Sequence, residues 1–274
     1  MGVVGAAVST VMSQAVSVVI SVIYLYRYKE SFSFDFKPSH FRIDRDKFKM
    51  LIKVGTPLAL QYTAISISVL FVNSNINAYC VIAAAVSGVG NNIENMAGII
   101  TNGINSANGT MIGQNLGAGK QNRAKHIVYV SLIISAVFYG VNIVAALLFP
   151  RQIFSLFNTK PEVLDMAVTF MRIEVWVFIA SMFMGPYGSM VTGCGFTALN
   201  MTVGVADSVA ARIGLSLLFG EVMGLGLIGY FYGNALARLV GAVILIAYFY
   251  SGRWRTRKLL VERVQVPMEA DING

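Results

Sequence analysis

The chain has 274 residues, of which 56% are hydrophobic and only 12% are charged, and its formal net charge is +8 at pH 7. Soluble globular proteins carry roughly 25% charged residues, so this chain has too few charges to cover a surface that faces water. The composition excludes the soluble, disordered and fibrous classes. Two cysteines and two histidines are too few for a disulfide framework or a metal cluster, so we expect no bound metal and no cofactor.

A helix needs about 20 apolar residues to cross a bilayer core of roughly 30 Å, and seven segments meet this requirement. They are Val3–Tyr26, Leu51–Val72, Tyr79–Ile112, Ile127–Phe149, Val163–Val191, Ala198–Phe219 and Leu225–Tyr250. The sequence therefore predicts an all-α integral membrane protein with seven transmembrane helices in the lipid bilayer. Met1 stands at the start of the first span without a cationic leader, so we expect the chain to begin in the middle of a larger architecture.

Lysine and arginine are concentrated in three connecting regions, which fall on one side of the membrane if the spans alternate. These regions are the loop 27–53, the loop around Lys120, Arg123 and Lys125, and the tail after Ser251. The opposite side has only Arg151 and Lys160. Positive loops stay in the cytoplasm, so we expect a plasma-membrane protein with its N-terminus outside and its C-terminus cytoplasmic. Because topology explains the positive charge, we expect no nucleic-acid partner.

Six ionisable residues lie well inside the predicted spans, where charged groups are costly and mark candidate functional sites. They are Glu94, Arg172, Glu174, Asp207, Arg212 and Arg238. Three acids and three bases could also neutralise one another as structural pairs. Asp207 and Arg212 are five residues apart, or about 140° around an α-helix, so each is expected to find its partner on another helix.

The third span carries a stripe of polar and small residues at helical spacing, which cannot face lipid. Its members are Ser87, Asn91, Glu94, Asn95, Gly98, Asn102, Asn105 and Gly109. We interpret Asn91, Asn95, Asn102 and Asn105 as candidates to line a cavity, although a helix–helix seam with asparagine hydrogen bonds is the alternative. Glu94, Glu174 and Asp207 are candidates for cation or proton coupling.

Two prolines, Pro57 and Pro186, lie at Gly55-Thr56-Pro57 and Gly185-Pro186 in the second and fifth spans. Proline removes a helical hydrogen bond and kinks the helix. Both positions are candidates for gating kinks that move during transport, or for fixed kinks that only serve packing.

Three motifs resemble sequences of the multidrug and toxic compound extrusion (MATE) transporters. The run from Gly113 to Gly119, followed by Arg123-Ala124-Lys125, is similar to the loop after that family's eighth helix. The run from Gly55 to Gln61 resembles the start of the seventh helix, and Gly193-Cys194-Gly195 the loop after the tenth. The resemblance covers roughly residues 3–258 and makes the seven spans helices six to twelve of a twelve-helix protein.

The resemblance implies four regions and a transport function. Residues 1–26 would be the last helix of the N-terminal lobe, 27–50 a cytoplasmic inter-lobe loop, 51–250 the C-terminal six-helix lobe and 251–274 a cytoplasmic tail. Such a lobe would be half of a sodium- or proton-coupled antiporter that exports drugs, toxins or metabolites, including organic cations. Its partner would be the missing N-terminal lobe or a second copy of the chain. In some members an acid in the seventh helix takes part in coupling, but Leu51–Val72 contains none.

Four alternatives compete with this interpretation. A receptor shares the seven-span topology, but Cys80 and Cys194 are predicted on opposite sides and cannot form an external bridge. An intramembrane enzyme would need paired aspartates, a Ser/His dyad or an H-E-x-x-H motif, and none occurs within the spans; we therefore predict no enzyme. A flippase for lipid-linked saccharides, from the same superfamily, would need a cavity rich in arginine. A truncated fragment that transports nothing stays open.

Overall fold

The computed structural model describes residues 2–29 and 44–255, and these residues form helices and no strand. The helices are α1 (Gly2–Arg27), α2 (Arg45–Tyr79), α3 (Val81–Gly117), α4 (Gln121–Leu148), α5 (Pro150–Ser155), α6 (Pro161–Gly193), α7 (Thr197–Val222) and α8 (Gly226–Tyr250). The predicted all-α architecture is confirmed. The predicted cytoplasmic loop and tail fall largely on residues 30–43 and 256–274, which lie outside the described residues.

Five of the predicted spans form helices that are long and apolar enough to cross a membrane, namely α1, α2, α4, α7 and α8. The other two form α3 and α6, continuous helices of 37 and 33 residues. Both exceed the length of about 20 residues that a bilayer requires. These two helices carry the charged residues Glu94, Arg172 and Glu174. Charged residues in such helices are a first indication of where the functional site lies.

Helix α2 extends beyond the apolar window from which it was predicted. α2 begins at Arg45, inside the segment predicted as a loop, and ends at Tyr79. Cys80 alone separates α2 from α3, and its Sγ accepts a hydrogen bond from the Ala83 backbone N–H at 3.3 Å. Cys80 and Cys194 form no disulfide; Cys80 is exposed and Cys194 is buried.

The contacts divide the chain into two units, Met1–Leu51 and Ile52–Gly274. In the first unit, α1 has exposed apolar side chains along its length, among them Val11 and Val18. In the second unit, α6 is the central helix and packs against α3, α4 and α8, while α7 packs against α8. Ile133, Val137 and Val141 of α4 are exposed, and their spacing of four places them on one face suited to lipid.

Two apolar clusters form the core of the second unit. The first contains Phe154, Phe170, Phe178 and Tyr230. The second includes Ile112, Tyr187, Phe249 and Trp254. On α3, α6 and α8, the stretch between the clusters contains Asn102, Ser181 and Arg238, so the core is interrupted by polar side chains.

Glycines bring α8 against the backbone of α7. A Cβ atom at Gly233 would overlap the backbone of Ser216, and one at Gly229 would overlap the backbone of Phe219. Membrane helices approach this closely only through small residues, so these two glycines fix how α7 and α8 pack.

Gly233→Ala is expected to lower the thermal stability of the purified chain, because overpacking a helix contact costs about 1–3 kcal/mol. Gly140→Ala on α4 is the matched control, since no atom beyond its chain neighbours and the nearby backbone of its own helix lies within 4 Å of the added methyl group. Thermal unfolding in one detergent would compare the two. Equal melting temperatures for both variants would contradict the packing described for α7 and α8.

Candidate functional site

A cavity of about 410 Å³ lies where polar side chains interrupt the core, between α2, α3, α4, α6, α7 and α8. Its wall contains both acidic and basic groups, several amides and hydroxyls, and a few aromatic rings. The lining residues are Tyr62, Ile65, Glu94, Asn95, Gly98, Thr101, Asn102, Asn105, Tyr139, Phe178, Ser181, Met184, Gly185, Asp207, Arg212 and Arg238. We call this space the charged cavity.

Arg238 of α8 joins two other helices at the cavity wall. Its guanidinium forms an ion pair with Glu94 of α3 and donates a hydrogen bond to Ser181 Oγ of α6 at 3.1 Å. Polar contacts of Arg238 therefore connect α3, α6 and α8.

Asp207 and Arg212 form a second ion pair, with 3.5 Å between Arg212 Nη2 and Asp207 Oδ2. Both residues are only 4% exposed. The expectation that each would find its partner on another helix is wrong. Residues 206–213 are π-helical, and a π-helix, whose hydrogen bonds join residues five apart, brings such residues onto nearly the same face. π-Helical segments are rare and frequently lie at functional sites.

Glu174 of α6 is the third carboxylate of this region and is also only 4% exposed. It interacts electrostatically with Glu94, Arg238 and Arg212. Its Oε1 atom has no hydrogen-bond partner among the residues that the structure describes. Unlike the other two carboxylates, Glu174 does not line the charged cavity.

Five ionisable groups thus form one cluster, which we call the charge cluster: Glu94, Glu174, Asp207, Arg212 and Arg238. Three carboxylates and two guanidiniums give the ionised cluster a formal charge of −1. Arg172, the sixth ionisable residue of the predicted spans, is exposed on α6 and does not line the cavity. The three acids of the predicted spans are therefore not balanced by three bases in the charge cluster, because Arg172 lies outside it.

The asparagine stripe of α3 is only partly directed into the cavity. Asn95, Asn102 and Asn105 line it, whereas Asn91 is half-buried and does not. Pro186 lies inside α6 and does not line the cavity, although its neighbour Gly185 does. Pro57 lies inside α2 and does not line the cavity either. A side chain at Gly185 would overlap the amide of Asn105.

A second cavity of about 740 Å³ adjoins the first. The two share Tyr62, Asn102, Asn105, Met184 and Gly185. Among the residues that the structure describes, no acidic or basic side chain lines the second cavity, whose polar groups are amides and hydroxyls; we call it the neutral cavity. Its other lining residues are Leu58, Gln61, Ser106, Gly109, Thr110, Gly113, Gln114, Gly188, Ser189, Thr192, Gly193, Asn200, Val203 and Leu245.

Several lining residues were not predicted from the sequence. Tyr62 belongs to α2, where the adjacent polar pair Gln61-Tyr62 inside an apolar span was an available signal. Tyr139 lies on α4, and its hydroxyl is 3.0 Å from Thr101 Oγ1 of α3. A single tyrosine in an apolar helix gives no comparable signal. In the described part of the chain, no group of three or more His, Cys, Asp or Glu residues could hold a metal ion.

The family model MatE matches residues 57–218, which include most of the lining of both cavities. The chain belongs to the MatE family. MatE proteins are multi-pass membrane transporters and not enzymes, which agrees with a polar cavity inside a helical bundle.

Curated relatives and solved structures agree with this assignment. The chain is 22% identical over 260 residues to the probable multidrug resistance protein YoeA of Bacillus subtilis (strain 168), covering 94% of this chain and 56% of that protein. It is 27% identical over 201 residues to the FAD transporter of Shewanella oneidensis, covering 72% of this chain and 41% of that protein. The chain spans little more than half the length of the first of these relatives.

The crystal structure of MATE in the straight conformation matches with a TM-score of 0.80 at 21% identity, over 91% of this chain and 56% of the matched chain. At this identity the match shows the fold alone.

Asp207→Leu is expected to destabilise the chain by about 3–5 kcal/mol, because removal of one partner leaves a buried charge uncompensated. The double variant Asp207→Leu with Arg212→Met removes both charges and should recover most of the loss. Thermal unfolding of the wild-type chain, the two single variants and the double variant measures the coupling energy. Additive losses in the double variant would contradict a direct interaction between the two residues.

Proposed function

We propose that this MatE chain forms the C-terminal lobe and the preceding helix of a sodium- or proton-coupled antiporter. The antiporter exports small molecules, which are drugs, toxins or metabolites, across the plasma membrane. The observation that carries the proposal is the charge cluster, because its three carboxylates and two guanidiniums lie among membrane-spanning helices with one negative charge in excess.

An excess charge inside a membrane protein is costly, and a bound cation offsets that cost. In our scheme, one sodium ion or proton neutralises the cluster in one state of the transport cycle. Glu94 and Asp207 contribute from the cavity wall, and Glu174 contributes from its buried position on α6. Antiport results if the cation and the substrate favour different conformations, because each ligand then shifts the population away from the state that binds the other.

The remaining parts of the scheme follow the predicted topology. The N-terminus lies outside, the C-terminus lies in the cytoplasm, and residues 27–50 connect the two lobes. Asn91, Asn95, Asn102 and Asn105 contribute to the substrate pathway, and Pro57 and Pro186 permit helix bending. The other half of the pathway comes from an N-terminal lobe or from a second copy of the chain.

The names of the two relatives support transport of small molecules without fixing their class, since one is named for multidrug resistance and the other as a transporter of FAD. The charge of the cluster does not favour a flippase for lipid-linked saccharides. Such a flippase moves a polyanion and needs a surplus of arginine, whereas carboxylates outnumber guanidiniums here.

The proposal is tested by efflux from bacterial cells that lack their main exporters and express this chain. The cells are loaded with a panel of cationic, neutral and anionic compounds. We expect export of at least one compound, and we expect it to stop when ionophores collapse the sodium and proton gradients. Absence of gradient-dependent export across the whole panel would contradict the proposal and favour a fragment that transports nothing.

Glu94→Gln is expected to abolish the gradient-dependent part of this export, because the neutral amide keeps the shape of the side chain but cannot take up a proton and has no charge to attract a sodium ion. Glu162→Gln is the matched control, since Glu162 is exposed in the first turn of α6. Immunoblots of membrane fractions confirm equal insertion. Unchanged export by Glu94→Gln would remove Glu94 from the coupling mechanism.

A further inference from the structure

Among the residues that the structure describes, the wall of the charged cavity is electrically balanced, although the charge cluster is not. Glu94 and Asp207 line the cavity together with Arg212 and Arg238. The excess carboxylate, Glu174, is 4% exposed and does not belong to the lining. A small ion or proton can neutralise a carboxylate behind the wall, but a bulky substrate meets two acids and two guanidiniums in equal number.

Three buried polar atoms of the lining have no hydrogen-bond partner among the described residues. Asp207 Oδ1 and Asn105 Oδ1 are acceptors, and Arg212 Nε is a donor. Asp207 and Arg212 are each 4% exposed. Buried polar groups of this kind need a partner. A substrate bound beside these groups can supply the missing hydrogen bonds, and a delocalised aromatic cation brings neither the donors nor the acceptor that they require.

The neutral cavity also offers hydrogen-bonding side chains, and those that the structure describes are uncharged. Five amide side chains line it, which are Gln61, Asn102, Asn105, Gln114 and Asn200. An amide carries two donor hydrogens and an acceptor oxygen. Asn200 uses one donor on Thr192 Oγ1 at 3.1 Å, and the other donors and acceptors complement hydroxyl groups and the amide edges of heterocycles. Tyr62 is the aromatic ring that the two cavities share, and a planar ring can stack on it.

We infer that the substrate of this site is a net-neutral molecule of the nucleoside class, with a hydrogen-bonding heterocycle and a hydroxylated sugar. The inference rests on the proposed function and deepens it. The heterocycle stacks on Tyr62, the hydroxyl groups bind the amides of the neutral cavity, and the orphaned atoms of Asp207, Asn105 and Arg212 receive complementary donors and acceptors. Glu174 stays available to the coupling cation.

Binding to the purified full chain tests this inference, with tritiated uridine, uridine monophosphate and tetraphenylphosphonium as probes. All three are measured in the same detergent, each with excess unlabelled probe to define specific binding. We expect uridine to bind at least tenfold more tightly than either charged probe. Tighter binding of tetraphenylphosphonium or of uridine monophosphate would overturn the assignment of a net-neutral substrate, as would absence of specific uridine binding.

Asn102→Leu locates the binding site, because Asn102 is exposed to both cavities. We expect it to weaken uridine binding at least fivefold. Asn115→Leu on the same helix is the matched control, since Asn115 lines neither cavity and donates to the Met111 carbonyl. Size-exclusion profiles and melting temperatures verify that both variants fold. Equal losses in the two variants, or none in Asn102→Leu, would overturn the proposed site.

The two proposals fail in different ways. Gradient-dependent export of a cationic panel compound without uridine binding would overturn the substrate class and leave the antiport proposal in place. Specific uridine binding that depends on Asn102, with no gradient-dependent export of any compound, would overturn the antiport proposal and leave the binding site in place.

Discussion

The cost of placing charge inside a membrane governs the arrangement of this structure. Five ionisable side chains from α3, α6, α7 and α8 meet in one region, where each is partly compensated by the others. Two ion pairs account for four of them and Glu174 remains as the excess carboxylate. A bilayer offers no water to stabilise such a group, so the cluster requires a cavity, a bound cation or both. The antiport proposal follows from this requirement.

The scaffold holds the cluster by close helix packing rather than by a continuous apolar core. α6 packs against α3, α4 and α8, and the apolar clusters above and below the cavity keep these helices in place. Gly229 and Gly233 set the distance between α7 and α8. The π-helical segment of α7 then turns Asp207 and Arg212 onto one face. A local departure from α-helical geometry therefore determines which charges are paired and which is left over.

The sequence predicted the parts of this structure that depend on composition and period. Apolar runs located the helices, and the polar stripe of α3 directed attention to Glu94, Asn95, Asn102 and Asn105. The pairing of charges could not be predicted, because it depends on tertiary contacts and on a π-helix that has no distinct sequence period. Arg172 shows the same limit: its position in the apolar run does not reveal that it is exposed. Tyr139 reaches the cavity from α4 and gave no sequence signal at all.

A water-filled cavity with Glu94, Asp207, Arg212 and Arg238 on its wall lies within the membrane. Labelling of Asn102→Cys by a membrane-impermeant maleimide tests this most directly, in a Cys80→Ser background and with both membrane faces accessible. The control is Ile133→Cys, which is 65% exposed on the apolar outer face of α4. Because maleimides react with the thiolate, which forms readily only in contact with water, we predict fast labelling at position 102 and slow labelling at position 133. Equally slow labelling at both positions would contradict the account.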